Sequence, residues 1–429
     1  MKTIHFGTFD AERWWRPSDL AELPAVRTGA DTVVATLDEV LAAGCAPGDL
    51  LITRRTLSPA VRDSLGDAGI EFDHIAAENG DPSSVNGHPV ERLLLNGTAL
   101  TELTAQYDHV RPYAVLPDTV SLLTQWGRPS DVPPVSVVTR VNSKTWSNTL
   151  VQKLGLPGEA REARSVDELS SAARECGSSV VIKDPYGVSG RGAHRVSSPG
   201  VLRAIERVLR RQEADGRRIE LLVQPEFPKK CDFSGHLEVK SDGSSHFLGI
   251  QQMVNHGFRH LGSGPAGPEL MSLLDRYGYR DLLADVGAAL ADEGYHGPVG
   301  VDSMVLDDNT LVPVLEVNAR RSLGLLALLA GDRVAHTGLT CHLWQLGLTL
   351  GADQDVEDVI SALREAELLY TGGIRPGVLV LGGGSLSQRE GRLYGLSYCA
   401  HDDAQLWHDR VVAAVSAAGM TPRGAGHAA

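Results

Sequence analysis

The chain has 429 residues, of which 42% are hydrophobic and 22% are charged, and its formal net charge is −14 at pH 7. This length predicts two or three associated subdomains, and the composition is ordinary for a soluble globular protein. The negative charge argues against a surface for nucleic acid or anionic lipid, because both would be repelled at long range. Five scattered cysteines without a CxxC pair favour neither a disulfide framework nor a zinc site. Because the amino terminus lacks a signal-peptide pattern, we expect a cytoplasmic protein.

Short apolar runs alternate with helical patterns through the first third of the chain. We predict strands at residues 3–7, 32–35, 50–53 and 113–116, and helices at residues 37–44 and 58–68. This alternation indicates an α/β layer. It ends near a proline-rich stretch at residues 128–134, which breaks regular structure, and we place the first domain at residues 1–135.

The rest of the chain mixes helices with strands in a different order. We predict, in turn, a helix from Lys144, a helix at 166–176, a strand ending at Lys183, a glycine-rich turn, a short strand, a helix at 201–213, the strand ELLVQPEF, hairpins with turns at 241–243 and 307–309, and a helical stretch from about 323. A glycine-rich strand pair follows in the last hundred residues. We therefore expect more than one α+β unit after the first domain.

The segment GVSGRG, residues 187–192, holds three glycines between two predicted strands. Its backbone amides could approach a phosphate without obstruction from a Cβ. It is neither a Walker A loop nor the GxGxxG of a Rossmann helix, and alone it could be a plain hairpin turn. Lys183 lies four residues upstream, where its ammonium could reach the same phosphates, so the combination favours a nucleotide site.

Two acidic residues lie on opposite arms of the later predicted hairpin. They are Asp302 and Glu316, and Asn318 shares the strand face of Glu316. Oxygen ligands from adjacent strands suit Mg²⁺, with a triphosphate and water completing its coordination. The alternative is that both acids face solvent. It is less favourable because each acid lies inside an apolar run, where an unpaired charge is costly.

Several basic residues could complete such a site. Arg320 and Arg321 could stabilise charge on a transferred phosphoryl group or an acyl phosphate, or either could form a surface ion pair. Lys144 could reach a phosphate of the nucleotide or remain solvated. Arg259, in the glycine-rich segment VNHGFRHLGSG, is a candidate clamp for a substrate carboxylate or part of an ordinary surface turn.

In their order along the chain, IKDPYGVSGRG, VQPEF, VGVDSMV and LEVNAR resemble the ATP-grasp superfamily, especially its carboxylate-amine ligases of bacterial peptide and natural-product pathways. The resemblance covers about residues 1–330. It implies a mixed α/β and α+β chain with the ATP-grasp fold. The expected units are an amino-terminal α/β pre-domain (1–135), a small subdomain with a glycine-rich lid (136–225), a large subdomain with the Mg·ATP site (226–330) and a carboxy-terminal extension completing the catalytic domain (331–429).

The resemblance implies ATP and Mg²⁺ as cofactors and assigns roles to the candidate residues. The metal ligands would be Asp302, Glu316 and Asn318. We expect catalytic roles for Lys183 and Arg320, and also for Arg259 as the candidate carboxylate clamp. The expected nucleotide contacts are Lys144, Lys183, Gly187, Ser189, Gly190, Gly192, Gln224, Glu226, Phe227 and Asp232. Residues 224–227 would form the adenine hinge and Asp232 would hold the ribose. The family often has an acid where Gln224 stands, which weakens that contact.

The implied reaction begins when a substrate carboxylate attacks the γ-phosphate, giving an acyl phosphate and ADP, and ends when an amine displaces phosphate. Transfer to the thiol of a carrier protein is the second candidate, although the acidic chain disfavours an acidic carrier unless a basic patch compensates. A nucleotide-binding module without turnover is the third. We expect small-molecule carboxylate and amine substrates and no nucleic-acid or membrane partner. An acyl carrier protein partner and a homodimer stay open.

Overall fold

The computed structural model describes residues 1–24, 30–77, 87–95, 100–177, 179–188, 191–257 and 259–423. Within these residues the chain forms three β-sheets, each with helices packed against it. No helix in these ranges is long and apolar enough to cross a membrane.

The amino-terminal sheet is parallel. Its strands are β1 (Thr3–Phe6), β2 (Leu50–Thr53), β3 (Asp73–Ala76) and β4 (His109–Pro112). The helices of this region are α1 (Glu12–Trp15), α2 (Ala30–Ala35), α3 (Pro59–Asp67), α4 (Val90–Leu95), α5 (Leu100–Thr104), α6 (Pro117–Gln125) and α7 (Val135–Val141). The strand order is β3-β2-β1-β4, so the order reverses between β1 and β4. Open α/β sheets bind ligands beyond the carboxyl ends of the strands at such a switch point.

Two of the strands predicted for this region are wrong. Residues 32–35 lie in the helix α2, and residues 113–116 follow the end of β4. A short apolar run does not distinguish a strand from a turn of buried helix by periodicity, which explains the first error. The predicted strand at residues 50–53 is confirmed as β2.

The second sheet is small and antiparallel. Its strands are β5 (Arg161–Ala163), β6 (Val180–Val188), β7 (Arg191–Val196) and β8 (Leu221–Pro225), in the order β5-β8-β6-β7. The helices here are α8 (Lys144–Lys153), α9 (Val166–Glu175) and α10 (Pro199–Ala214). Leu169 of α9 and Leu209 of α10 share a core with Ile182 of β6. Because side chains alternate along a strand, Lys183 points to the opposite face, away from these helices.

The third sheet contains the remaining strands. They are β9 (Lys229–Val239), β10 (Ser245–His256), β11 (Arg259–Pro265), β12 (Gly297–Leu306), β13 (Leu311–Asn318), β14 (Thr340–Thr349), β15 (Gly377–Gly382), β16 (Glu390–Cys399) and β17 (Thr421–Arg423). Its helices are α11 (Pro268–Arg276), α12 (Tyr279–Asp292), α13 (Leu323–Val334), α14 (Val356–Glu365) and α15 (Ala404–Ala417). The order is β13-β12-β9-β10-β11-β14-β16-β15, and β17 pairs with β14. Strands after residue 331 therefore join the sheet that carries Asp302 and Glu316. The domain boundaries stay predictions.

The amino-terminal sheet and the large sheet share one hydrophobic core, whereas the small sheet has a core of its own. A polar contact also joins the amino-terminal region to the large sheet. Glu39, in the 3-10 helix Leu37–Gly44, accepts hydrogen bonds from the backbone N–H groups of Gly383 and Gly384 at 2.9 and 3.0 Å. The first and last parts of the chain are thus packed together beside the large sheet.

Candidate functional site

Lys144 joins three elements at one point. Ser143 caps α8 by accepting a hydrogen bond from the backbone N–H of Trp146 at 3.1 Å, which fixes Lys144 as the first helical residue. The Nζ of Lys144 donates to Oε1 of Glu316 at 2.7 Å and to the carbonyl oxygen of Gly187 at 2.6 Å. Lys144 is buried rather than solvated. It therefore links the start of α8 to β13 and β6.

The two predicted metal carboxylates lie directly opposite each other. Asp302 of β12 pairs in register with Glu316 of β13, and the ladder is irregular immediately after Asp302. The Nδ2 of Asn318 donates to Oδ2 of Asp302 at 3.1 Å. Burial, followed by the negative charge of Glu316, raises the pKa of Asp302 to about 7. Like charges opposite each other on adjacent strands are destabilising, and a divalent cation between them would relieve that cost.

The chemistry of this donor set fits Mg²⁺. Two carboxylates and an amide oxygen are hard oxygen ligands that leave coordination positions for phosphate oxygens and water. Across the described ranges, the structure contains no group of three or more His, Cys, Asp or Glu side chains arranged to hold a metal ion. The metal position that we predicted, Asp302 and Glu316 with the amide oxygen of Asn318, has two carboxylates and stays a prediction.

Lys183 approaches the same carboxylates from the small sheet. Its Nζ donates to Oε1 of Gln224 at 2.7 Å, and the amide of Gln224 also donates to the carbonyl oxygen of Gly158. Burial lowers the pKa of Lys183 to about 8, against the opposing charge of Glu316. Lys144 lowers the pKa further and Asp302 raises it, so all four charges lie within electrostatic range. The structure thus brings the two predicted lysines and the two predicted acids together.

The strand that we predicted to end at Lys183 continues into the first residues of the glycine-rich segment. Strand β6 continues to Val188, and four of its residues, 184–187, lie opposite Gly192 alone. Gly192 has a φ of +88°, and a Cβ there would lie 2.8 Å from the Cα of Gly187. Glycine is therefore required at position 192. Ser189 and Gly190, which we also predicted as nucleotide contacts, lie outside the described residues.

The predicted adenine hinge, residues 224–227, spans the end of β8. The side chain of Glu226 accepts from Ser179 Oγ at 2.5 Å and from Arg195 Nε at 2.7 Å, and these hydrogen bonds lower the pKa of Glu226. Phe227 is partly buried, and within the described residues its backbone N–H has no hydrogen-bond partner. Asp232 accepts from Lys229 at 2.5 Å and from Asn255 at 2.6 Å.

Arg320 points to the switch point of the amino-terminal sheet. Its Nε donates to Oε1 of Glu12 at 2.8 Å, its Nη1 to the hydroxyl of Tyr113 at 3.3 Å and its Nη2 to Oδ1 of Asn318 at 2.9 Å. Burial opposes its charge, but Glu12 and Tyr113 outweigh that effect and hold the pKa of Arg320 above its usual range. Glu12 follows β1 and Tyr113 follows β4, so Arg320 lies where β1 and β4 diverge.

Sequence reasoning missed Glu12 and Tyr113. A signal was available for Glu12, which follows the predicted strand at residues 3–7 on the carboxyl side, where ligands bind; the wrongly predicted strand at residues 113–116 concealed Tyr113. Arg321 is buried, and its Nη1 lies 3.1 Å from Nδ1 of His5, whose Nε2 lies 3.0 Å from Asp49. The surface ion pair that we considered for Arg321 is therefore wrong.

Arg259 lies elsewhere in the large sheet. The glycine-rich segment VNHGFRHLGSG contains the end of β10 and the start of β11, and Arg259 begins β11 opposite His256. The charged groups that act on Arg259 include Arg392 and Arg423 of the carboxy-terminal strands. Its role as a catalytic residue stays a prediction.

Comparison with known proteins gives one partial sequence match and extensive structural likeness. No protein-family model matches the chain. The chain is 25% identical over 146 residues to the [butirosin acyl-carrier protein]–L-glutamate ligase of Niallia circulans, and the match spans a third of each protein, 33% of either length.

The structural likeness extends over nearly the whole chain. N5-carboxyaminoimidazole synthase of Aspergillus clavatus, solved with ADP and 5-aminoimidazole ribonucleotide, aligns with a TM-score of 0.53 and 13% identity over 87% of this chain and 100% of that one. Biotin carboxylase of Campylobacter jejuni, solved as a β,γ-ATP complex, aligns with a TM-score of 0.56 and 12% identity over 98% and 92%. At these identities the likeness concerns the fold.

Proposed function

Since this chain has the ATP-grasp fold of ATP-dependent carboxylate ligases, we propose that it is itself an ADP-forming ligase. It would activate a carboxylate as an acyl phosphate and join it to an amine, forming an amide or peptide bond with release of ADP and phosphate. The fold that we predicted from the sequence motifs is confirmed by the structural likeness, whereas the reaction and its residues are proposals.

The observation that carries the proposal is the convergence of Lys144 and Lys183 on Asp302 and Glu316. In the ion pair between Lys144 and Glu316, the lysine proposed to bind phosphate contacts a carboxylate proposed to bind Mg²⁺, at 2.7 Å. Without a nucleotide, the lysine and the carboxylate neutralise each other. When Mg·ATP binds, the lysine would contact phosphate oxygens and the carboxylate would contact the metal ion. A purely structural ion pair would not require two carboxylates opposite each other on neighbouring strands.

Each residue then has a physical task. Lys144 and Lys183 would bind phosphate oxygens, while Gly187 of β6 and Gly192 of β7 would let the backbone approach the phosphates without a Cβ. Residues 224–227 would receive the adenine, with the unpaired backbone N–H of Phe227 available to a ring nitrogen, and Asp232 would face the ribose. Asp302, Glu316 and Asn318 would hold Mg²⁺, which neutralises charge on the triphosphate.

Arg320 would orient the reacting carboxylate. It is already fixed by Glu12, Tyr113 and Asn318, so little side-chain entropy is lost when a substrate binds beside it. Such preorganised positive charge stabilises the acyl phosphate and the transition state that leads to it. Packing between the sheets would exclude water, which otherwise hydrolyses an acyl phosphate.

A second candidate is transfer of the activated carboxylate to the thiol of an acyl carrier protein. The partial match to a ligase whose name specifies an acyl-carrier protein and L-glutamate favours it. A nucleotide-binding module without turnover is the third alternative. A cytoplasmic location and a homodimer stay predictions.

The test measures ADP and phosphate release from the purified protein with Mg·ATP, against a panel of amino acids and dicarboxylic acids, with amines or a thiol-bearing carrier protein as acceptors. Glu316→Gln removes one proposed metal ligand at constant size, and Glu365→Gln is the matched control because Glu365 is exposed on α14. We expect substrate-dependent release in the wild type and in the control, and loss in Glu316→Gln. ATP binding without release for any acceptor would instead support the non-catalytic module.

A further inference from the structure

Four residues of the large sheet form a group that we call the carboxy-terminal arginine cluster. They are Arg259 of β11, Gln345 of β14, and Arg392 and Tyr394 of β16. The Nη1 of Arg392 donates to Oε1 of Gln345 at 3.1 Å, and the amide of Gln345 donates to the carbonyl oxygen of His260. Tyr394 lies directly opposite Gln345 in the β14–β16 ladder. The guanidinium of Arg392 therefore has a neutral hydrogen-bond partner in Gln345, and its charge acts on the hydroxyl of Tyr394.

The cluster has more positive charge than the surrounding residues neutralise. Burial, then the charge of Arg392, then that of Arg423, lowers the pKa of Arg259. The Nε of Arg259 is buried and lacks a hydrogen-bond partner within the described residues. Arg423 pairs with Glu390 at 2.5 Å, but in the part of the chain that the structure describes no carboxylate forms an ion pair with Arg259 or Arg392.

This arrangement is costly unless an anion completes it. Two guanidinium groups that share a partly buried site repel each other, and a buried donor without a partner costs free energy. A chain with a net charge of −14 has many acidic residues, so the lack of an acid paired with Arg259 or Arg392 among the described residues is a local property of the site. The planar fork of arginine matches the geometry of carboxylate and phosphate groups, and Gln345 orients that fork for Arg392.

We propose that Arg259 and Arg392 bind an anionic group, carboxylate or phosphate, on one of the two substrates of the ligase. This inference rests on the proposed function and names a substrate class, because the anionic group is additional to the carboxylate that is activated. The cluster belongs to the same sheet as Asp302 and Glu316 and is built from the strands β11, β14 and β16. The anionic group could belong to the donor, as in a dicarboxylic acid, or to the acceptor.

The first experiment measures anion binding to the full chain without nucleotide. Sulfate and glutarate are titrated by calorimetry against the wild type, Arg392→Gln and Arg259→Gln. Arg410→Gln is the matched control, because Arg410 is exposed on α15, where its guanidinium lies 5.0 Å from the ring centroid of Trp407. Loss of one charge-assisted contact should weaken binding roughly 10- to 100-fold in either cluster variant and leave the control unchanged. Equal affinity in all four proteins, or no binding to the wild type at millimolar concentrations, overturns the proposal.

The second experiment identifies which substrate carries the anion. In steady-state assays, Arg392→Gln should raise KM for the donor alone or for the acceptor alone, and Arg392→Lys should recover part of the loss. A fall in kcat with both KM values unchanged would indicate a purely structural role and refute the assignment. Failure of the proposed function is distinguishable, because Glu316→Gln would then have no activity to lose while the anion titration still gives its result.

Discussion

Glu39 offers a direct test of the interface between the first and last parts of the chain. Its Oε2 accepts the backbone N–H groups of Gly383 and Gly384, and its side chain is buried. Burial raises the pKa of Glu39 to about 7, the nearby charge of Asp38 adds to the increase, and the two glycine amides oppose it. The buried surroundings of Glu39 therefore favour its neutral, protonated form over the charged carboxylate.

The sign of the pH dependence follows from the raised pKa. Between the unfolded pKa of 4.5 and the folded pKa of about 7, the folded chain binds more protons than the unfolded chain. Stability from Glu39 is thus greatest below this window and falls as the pH rises through it. From these two pKa values, Glu39 alone lowers the free energy of unfolding by about 2–3 kcal/mol between pH 5 and pH 8. Glu39→Gln keeps an acceptor for both amides but cannot titrate.

We therefore expect the difference in unfolding free energy between the wild type and Glu39→Gln to change by about 2–3 kcal/mol across that range, in favour of the variant at higher pH. Urea unfolding followed by tryptophan fluorescence at pH 5, 6.5 and 8 measures it, with Glu365→Gln as an exposed control. Parallel curves for the wild type and Glu39→Gln, with a difference constant to about 0.5 kcal/mol, would refute the reasoning.

Three further substitutions test other contacts. Ser143→Ala removes the cap of α8 and should cost about 1 kcal/mol in urea unfolding, with a higher KM for ATP because Lys144 starts that helix. Gly384→Ala would place a Cβ against Glu39 and should destabilise the protein by about 2–3 kcal/mol in the same assay; an unchanged midpoint would contradict the packing. Arg320→Lys cannot reproduce the three contacts of the guanidinium and should lower kcat/KM roughly 100-fold while Mg·ATP still binds, as ADP release and calorimetry would report.

The sequence was informative wherever the relevant contacts are local. The hairpin that carries Asp302 and Glu316 was predicted from its turn at residues 307–309, and the structure has β12 and β13 on either side of that turn. Strand periodicity was enough to place Asn318 on the face of Glu316. The start of α8 at Lys144 follows from local capping chemistry, since Ser143 precedes it.

The contacts that sequence reasoning missed join distant parts of the chain. Glu12 and Arg320 are separated by 308 positions, and Glu39 and Gly384 by 345. A pattern of hydrophobic and polar residues records which face of an element is buried, but it does not record which distant polar group completes a hydrogen bond. The roles of the candidate residues, unlike the fold, stay predictions for the same reason, because chemistry depends on such partners.

The short helix α1 shows what these distant contacts achieve. Glu12, its first residue, binds Arg320, which follows β13 of the large sheet. Arg16, directly after the end of α1, donates from Nη1 to both carboxylate oxygens of the buried Asp184 of β6, at 2.5 and 2.6 Å. Asp184 lies one residue after Lys183 and within the bulged segment opposite Gly192. Because breaking either partly buried ion pair would leave an uncompensated charge, α1 fixes the arginine beside Asn318 relative to the hairpin that contains Lys183. The amino-terminal region therefore helps to position the candidate site, although Lys144, Lys183, Asp302 and Glu316 all lie outside that region.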